Sequence, residues 1–248
     1  RDCRQDGSYG DVHGISRGKT GTAILMRILI KNGRIIDPAN KLDDIGDVCI
    51  EDGKICSVLK SSKDFSADKE INASDKIVCP GLIDLSARLR EPGMEHKATI
   101  ASESLAAISS GITGICCPPD TQPVIDTTAV AELIQQRAET AGKLRIFPLG
   151  ALTFGLKGER LSEMHALKRA GCVGVSNAYA DIANTDVLRQ ALEYAHTCDL
   201  TVFIQPDDHF LSKNGVAHEG AISTRLGLPP IPETAETIAV SRALLLIE

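Results

Sequence analysis

Tryptophan is absent from the 248 residues, and aromatic side chains make up only 3% of them. The core must therefore be built from Ile, Leu, Val and Ala. Positive charge is also short. The 27 Lys and Arg against 33 Asp and Glu leave a net charge of −6, which argues against a nucleic-acid-binding surface. No apolar run approaches the roughly 18 residues of a membrane span, so no membrane partner is expected. Cys-X-X-Cys pairs are missing too. Cys3, Cys49, Cys56, Cys79, Cys172 and Cys198 are scattered, and Cys116 and Cys117 are adjacent within an apolar run. That spacing suits buried, reduced thiols of a cytoplasmic protein better than a disulfide framework or a structural zinc site.

What is present has the composition of a globular protein, 43% hydrophobic and 24% charged. Residues 1–23 are polar and glycine-rich, without the apolar stretch of a signal peptide. Met26 lies just before the first strand pattern, separated from it only by Arg27, and is the expected natural start. Residues 1–25 are then a disordered or artefactual extension. Residues 26–75 read as a small β domain, with hairpin dipeptides at Asn32-Gly33 and Asp52-Gly53 and a further strand near residues 70–71.

From residue 76 the pattern changes. Strand-like runs at 77–85, 112–117, 144–149, 172–176 and 200–205 alternate with amphipathic stretches at 99–110, 127–141, 161–170 and 185–196. The repeat of about 30 residues is that of a βα unit, and repeated units imply a parallel sheet. Gly111, Gly142 and Gly171 each stand where a helix should stop before the next strand. Two more helices are expected at 217–226 and 233–247.

The most informative segment is Pro80-Gly81-Leu82-Ile83-Asp84-Leu85-Ser86-Ala87-Arg88-Leu89-Arg90-Glu91-Pro92-Gly93. With Cys117-Pro118-Pro119-Asp120, Leu156-Lys157-Gly158-Glu159, the run 219–229 and Pro232-Glu233-Thr234-Ala235-Glu236, it resembles the dihydroorotases, metal-dependent amidohydrolases. The resemblance extends from about residue 28 to 248 and implies an α/β fold, a (β/α)8 TIM-type barrel of the amidohydrolase kind over residues 76–248. With five strands visible, the barrel is expected to be truncated.

The resemblance also implies a ligand set that this sequence lacks. Dihydroorotases carry His-X-His on the first barrel strand, a bridging carboxylate or carboxylated lysine on the fourth, and a histidine on the fifth. Those positions hold Ser86, Arg88, Asn177 and Gln205. A hydroxyl or neutral amide is a poor stand-in for imidazole, and a guanidinium has no free lone pair. The family's remaining ligand and its general base would lie on strands beyond Glu248. On the substrate side, the resemblance gives Arg90 and Asp120 as the positions that hold the substrate carboxylate. Asp120 replaces an asparagine, and two like charges at about 4 Å repel by about 4 kcal/mol at intermediate dielectric.

Ser86, Arg88 and Arg90 alternate, so one strand would aim all three into the barrel mouth. Either they form an anion site, or the arginines pair with Asp84, Asp120 or Asp207; buried arginines need partners first. Asp207-Asp208-His209 reads as a solvated cluster, His96 as exposed, His165 and His196 as helical residues facing solvent or a partner, and His218 as a residue helping at a helix start.

The expectation that follows is a protein with no catalytic residue and no cofactor. It would be a dihydroorotase-like subunit of pyrimidine biosynthesis, assembled with the catalytic chain of aspartate carbamoyltransferase and itself oligomeric. One alternative is an active cyclic amidohydrolase, which would require zinc. Another is a sensor binding a small anion through Arg88 and Arg90.

Overall fold

The structure is a computed structural model describing residues 26–247 other than 63 and 143. The expectations for residues 1–25 and for Cys3 fall outside the described residues. The chain divides into two compact units between Pro80 and Gly81.

The first unit is one mixed sheet of β1 (Arg27–Asp37), β2 (Leu42–Glu51), β3 (Lys54–Leu59), β4 (Lys69–Asn72) and β5 (Ile77–Val78). Its order is β3-β2-β1-β4, with β5 also on β1. Asp52 and Gly53 turn the β2–β3 hairpin with φ of 53° and 73°, as a two-residue turn requires. Asn32-Gly33 does not make a hairpin. It lies inside β1, where the register against β2 slips between Ile30 and Gly33. The Asn32 N–H donates to Asp47 Oδ1 at 2.9 Å, and a Cβ on Gly33 would sit 2.5 Å from Val78 Cγ2. The dipeptide therefore forms a bulge that lets β5 approach.

Asp47 is buried and also accepts from the N–H and hydroxyl of Ser62, at 2.9 and 2.7 Å. Burial alone would raise its pKa. The hydrogen bonds from Asn32 and Ser62 outweigh that and hold it below the ordinary carboxylate value.

The second unit alternates strand and helix: β6 (Leu82–Asp84), α1 (Ile100–Ser109), β7 (Ile112–Cys117), α2 (Thr128–Ala141), β8 (Arg145–Ala151), α3 (Met164–Arg169), β9 (Gly174–Ser176), α4 (Thr185–Thr197) and β10 (Thr201–Phe203). The five strands are parallel and pair strictly in chain order. A doubly wound sheet would reverse order at a switch point. Strict succession instead winds the sheet as a half-barrel, with α1–α4 supplying the crossovers.

The apolar faces of these helices form the core. Ile134 and Ala138 of α2 pack with Ile115, Ile146 and Leu167; Leu188, Ala191 and Leu192 of α4 pack with Val175, Met164 and Leu152. Gly142 ends α2 in the left-handed conformation, φ 62°, where its N–H reaches the Ala138 carbonyl.

The run 77–85 is not one strand. Pro80 has no N–H to give a ladder, so residues 77–78 pair with β1 while Leu82–Asp84 pairs with β7. Beyond β10 come α5 (His209–Ser212), β11 (Ala217–His218), α6 (Ala221–Leu226), β12 (Pro230–Ile231) and α7 (Thr234–Leu245). The helix expected from residue 217 begins only at Ala221, because Ala217 and His218 bridge to Pro230 and Ile231.

Candidate functional site

Active sites of parallel barrels gather at the carboxyl ends of the strands, where the loops converge. Here β6 stops at Asp84, whose Oδ1 accepts the Ser86 N–H at 2.9 Å. The segment that follows is irregular. Leu89 is buried in the core, Arg90 has φ 63°, and its carbonyl accepts the Met94 N–H at 2.8 Å. Ser86, Arg88 and Arg90 are therefore not on one strand, and the expected common direction is lost. Ser86 lines one cleft; Arg88 and Arg90 line another, narrower pocket with Asp120 and Cys117.

Glu91 anchors this segment from behind. Its carboxylate accepts the Ile100 N–H at the start of α1 (2.7 Å) and a guanidinium N–H of Arg137 (2.5 Å). A carboxylate at a helix amino end satisfies an orphan donor and complements the helix dipole. The Glu-Pro-Gly part of the motif is thus scaffold.

Arg88 is engaged on two sides. Its Nε donates to Asp120 Oδ2 at 2.5 Å, and its guanidinium carbon lies 4.0 Å from the centre of the Tyr179 ring. A charge-assisted hydrogen bond and a cation–π stack together fix the side chain across three loops. Arg90 is half-buried and makes no ion pair among the described residues.

Asn177 follows β9 and is buried, with both ends of its amide used. Oδ1 accepts from Thr153 Oγ1 at 2.7 Å, and Nδ2 donates to the Ala180 carbonyl at 2.9 Å. Thr153, itself fully buried, also accepts the Gly158 N–H at 3.0 Å. Asn177 thereby ties the loop after β8 to the loop after β9. Gln205, just past β10, is exposed and lines the same cleft as Ser86.

This donor set does not fit a dinuclear zinc centre. Among the described residues, no three His, Cys, Asp or Glu side chains are grouped to hold a metal ion. Asp208 is spent capping α5 through the N–H groups of Phe210 and Leu211, and Asp207 accepts the Ser212 hydroxyl. His96, His165, His196, His209 and His218 are exposed. The Cys117 and Cys172 thiols are buried, which pushes both up to about 12 and leaves them inert.

Sequence reasoning did not single out Tyr179 or Thr153. Tyr179 meets Arg88 from a loop far along the chain, so no local spacing signals the stack. Thr153 finds Asn177 in the same way.

The Dihydro-orotase-like family profile matches residues 75–248. Over 223 residues the chain is 50% identical to a dihydroorotase-like protein of Pseudomonas aeruginosa, covering 90% of this chain and 53% of that protein. It is 42% identical over the same length to a dihydroorotase of Trichlorobacter lovleyi, covering 52% of that enzyme. Among solved structures, an L-hydantoinase (dihydropyrimidinase) from Arthrobacter aurescens superposes with a TM-score of 0.73 at 20% identity, over 90% of this chain and 50% of the hydantoinase. That likeness is one of fold, the amidohydrolase barrel. The chain spans about half the length of the curated relatives it matches. A parallel half-barrel in strict strand order and the matched span together establish that the chain belongs to the dihydroorotase-like family.

Proposed function

We propose that this dihydroorotase-like chain is a non-catalytic member of the pyrimidine-biosynthesis lineage and acts as a subunit beside the catalytic chain of aspartate carbamoyltransferase. The observation that carries the non-catalytic part is the state of four positions at the strand ends. Ser86 and Gln205 offer neutral side chains to a cleft. Arg88 is locked between Asp120 and Tyr179, and the Asn177 amide is engaged at both ends, by Thr153 and Ala180. Hydrolysis of an unactivated cyclic amide needs a polarised carbonyl and an activated water, and these side chains supply neither. The partner part rests on the family resemblance; Glu91 and Arg137 hold the loop after β6 in place as scaffold.

The test is co-purification of tagged chain with the aspartate carbamoyltransferase catalytic chain, followed by assay of carbamoyl aspartate cyclisation. A stable complex without cyclisation is expected. Cyclisation above a metal-stripped control would instead favour the active zinc-dependent reading, to which the 42% identity with a dihydroorotase points. Arg90, which makes no ion pair among the described residues, favours a third reading, a small-anion sensor. A saturable thermal shift with orotate would support it.

A further inference from the structure

The segment between β6 and α1 is held in two unequal parts. Up to Gly93 it is tied to its surroundings. Leu89 is buried in the core, and the Gln122 N–H donates to the Pro92 carbonyl at 3.1 Å. A Cβ on Gly93 would come within 2.4 Å of Gln122, so glycine is what lets the two loops meet there. At the other end Thr99 caps α1, its side chain accepting the Ser102 N–H.

Residues 94–98 lie between these fixed points, and Glu95, His96 and Lys97 are exposed. The backbone bonds of the stretch are internal to the segment. The Met94 N–H reaches the Arg90 carbonyl at 2.8 Å, and the Lys97 N–H reaches that of Met94 at 2.9 Å. Among the described residues, one hydrogen-bonded ion pair joins residues 94–98 to another element, from Arg137 of α2 to Glu95 Oε1 at 3.2 Å. Arg137 does not need Glu95 to stay in place. The same guanidinium nitrogen donates to Glu91 at 2.5 Å, and the Glu91 side chain is only 14% exposed against 45% for Glu95. The short, shielded pair persists where the longer, exposed one exchanges readily with water.

The geometry points to a latched flap. Residues 94–98 swing between Gly93 and Thr99, with Glu95–Arg137 as the latch and Glu91 as the fixed seat of the arginine. Gly93, at φ 103°, has the backbone range that a hinge uses. Met94 lines the narrow pocket of Arg88 and Arg90, so movement of the flap shifts one wall of that pocket. The device stands whether or not the chain is catalytic.

Residue-resolved hydrogen exchange by NMR on the full chain tests this. Glu95→Gln keeps an acceptor for the Gly93 N–H, now 3.0 Å from Glu95 Oε2, and removes the charge. In that variant the Met94 and Lys97 amides should exchange about threefold faster, the scale of an exposed ion pair. The Ile100 amide, which donates to Glu91, should keep its wild-type rate. Salt at about 0.5 M should speed Met94 and Lys97 in wild type and leave them unchanged in Glu95→Gln. Arg137→Met should release Ile100 as well, because it empties the seat; Glu95→Gln carries the test alone if that variant fails to fold. Flap amides that exchange alike in wild type and Glu95→Gln would overturn the inference. So would an Ile100 amide that accelerates with the flap in Glu95→Gln, which would mean the segment opens as one piece, or an equal effect of salt on both proteins.

Discussion

Replacing Asn177 tests whether the position has become structural. Its amide accepts from Thr153 at 2.7 Å and donates to Ala180 at 2.9 Å, in a buried setting. Asn177→Ala removes both bonds and leaves the fully buried Thr153 hydroxyl without its acceptor. Two bonds at about 1 kcal/mol each, plus a partly unmet buried group, amount to about 2–4 kcal/mol. For a domain of this size that corresponds to a fall in Tm of about 5–15 °C.

Asn177→Asp is the sharper variant, because an acidic residue is what the resemblance puts at this position. The introduced carboxylate can still accept from Thr153, but its second oxygen faces the Ala180 carbonyl where an N–H had been. Burial and that opposing oxygen raise the folded-state pKa of the new carboxyl above its unfolded value. Its charged form therefore destabilises at neutral pH, and protonation restores a donor. The stability gap to wild type should narrow as pH falls from about 8 to about 5. Urea unfolding at several pH values reads this directly. If Asn177→Asp matches wild type at neutral pH, the assignment of Asn177 to the scaffold is wrong.

Three other outcomes follow from named contacts. Asp120→Asn removes the carboxylate that neutralises Arg88, so small anions such as orotate should bind more tightly to the variant, by calorimetry. Asp47 has a depressed folded-state pKa, so its contribution is present above the unfolded carboxylate value of about 3.9 and is lost as pH falls through the folded value. Acidification should therefore loosen the first unit, seen as faster hydrogen exchange of β1 and β2 amides, and Asp47→Asn should flatten that dependence. Finally, iodoacetamide near neutral pH should label the exposed Cys56 and Cys79 while sparing Cys117 and Cys172, by peptide mass spectrometry.

The parts of this protein legible in its sequence are those set by local periodicity. The run 112–117 is β7, and the stretch 127–141 is α2 apart from its cap, because alternation and helical spacing are properties of neighbours. Asp52-Gly53 was legible for the same reason. Asn32-Gly33 was not, since Asp47 and Val78, both distant in sequence, decide that it bulges. The candidate site divides along the same line. The residue types at 86, 88, 177 and 205 could be read as poor ligands from chemistry alone. That Arg88 stacks on Tyr179, that Asn177 bonds Thr153, and that Ser86 leaves the direction of Arg88 all depend on loops after different strands. The apparent alternation of Ser86, Arg88 and Arg90 misled because β6 ends at Asp84 and the positive φ of Arg90 breaks any strand there.

The central claim is that the strand-end positions have lost the capacity to hold a metal. The most direct measurement is zinc bound per chain, by elemental mass spectrometry of the dialysed protein, in wild type and in the Ser86→His, Gln205→His variant, whose two positions line the same cleft. The account predicts no stoichiometric zinc in the wild-type chain and more zinc retained by the variant, whose imidazoles supply lone pairs there. Stoichiometric zinc in the wild-type chain, released by a chelator and regained on addition, would contradict it.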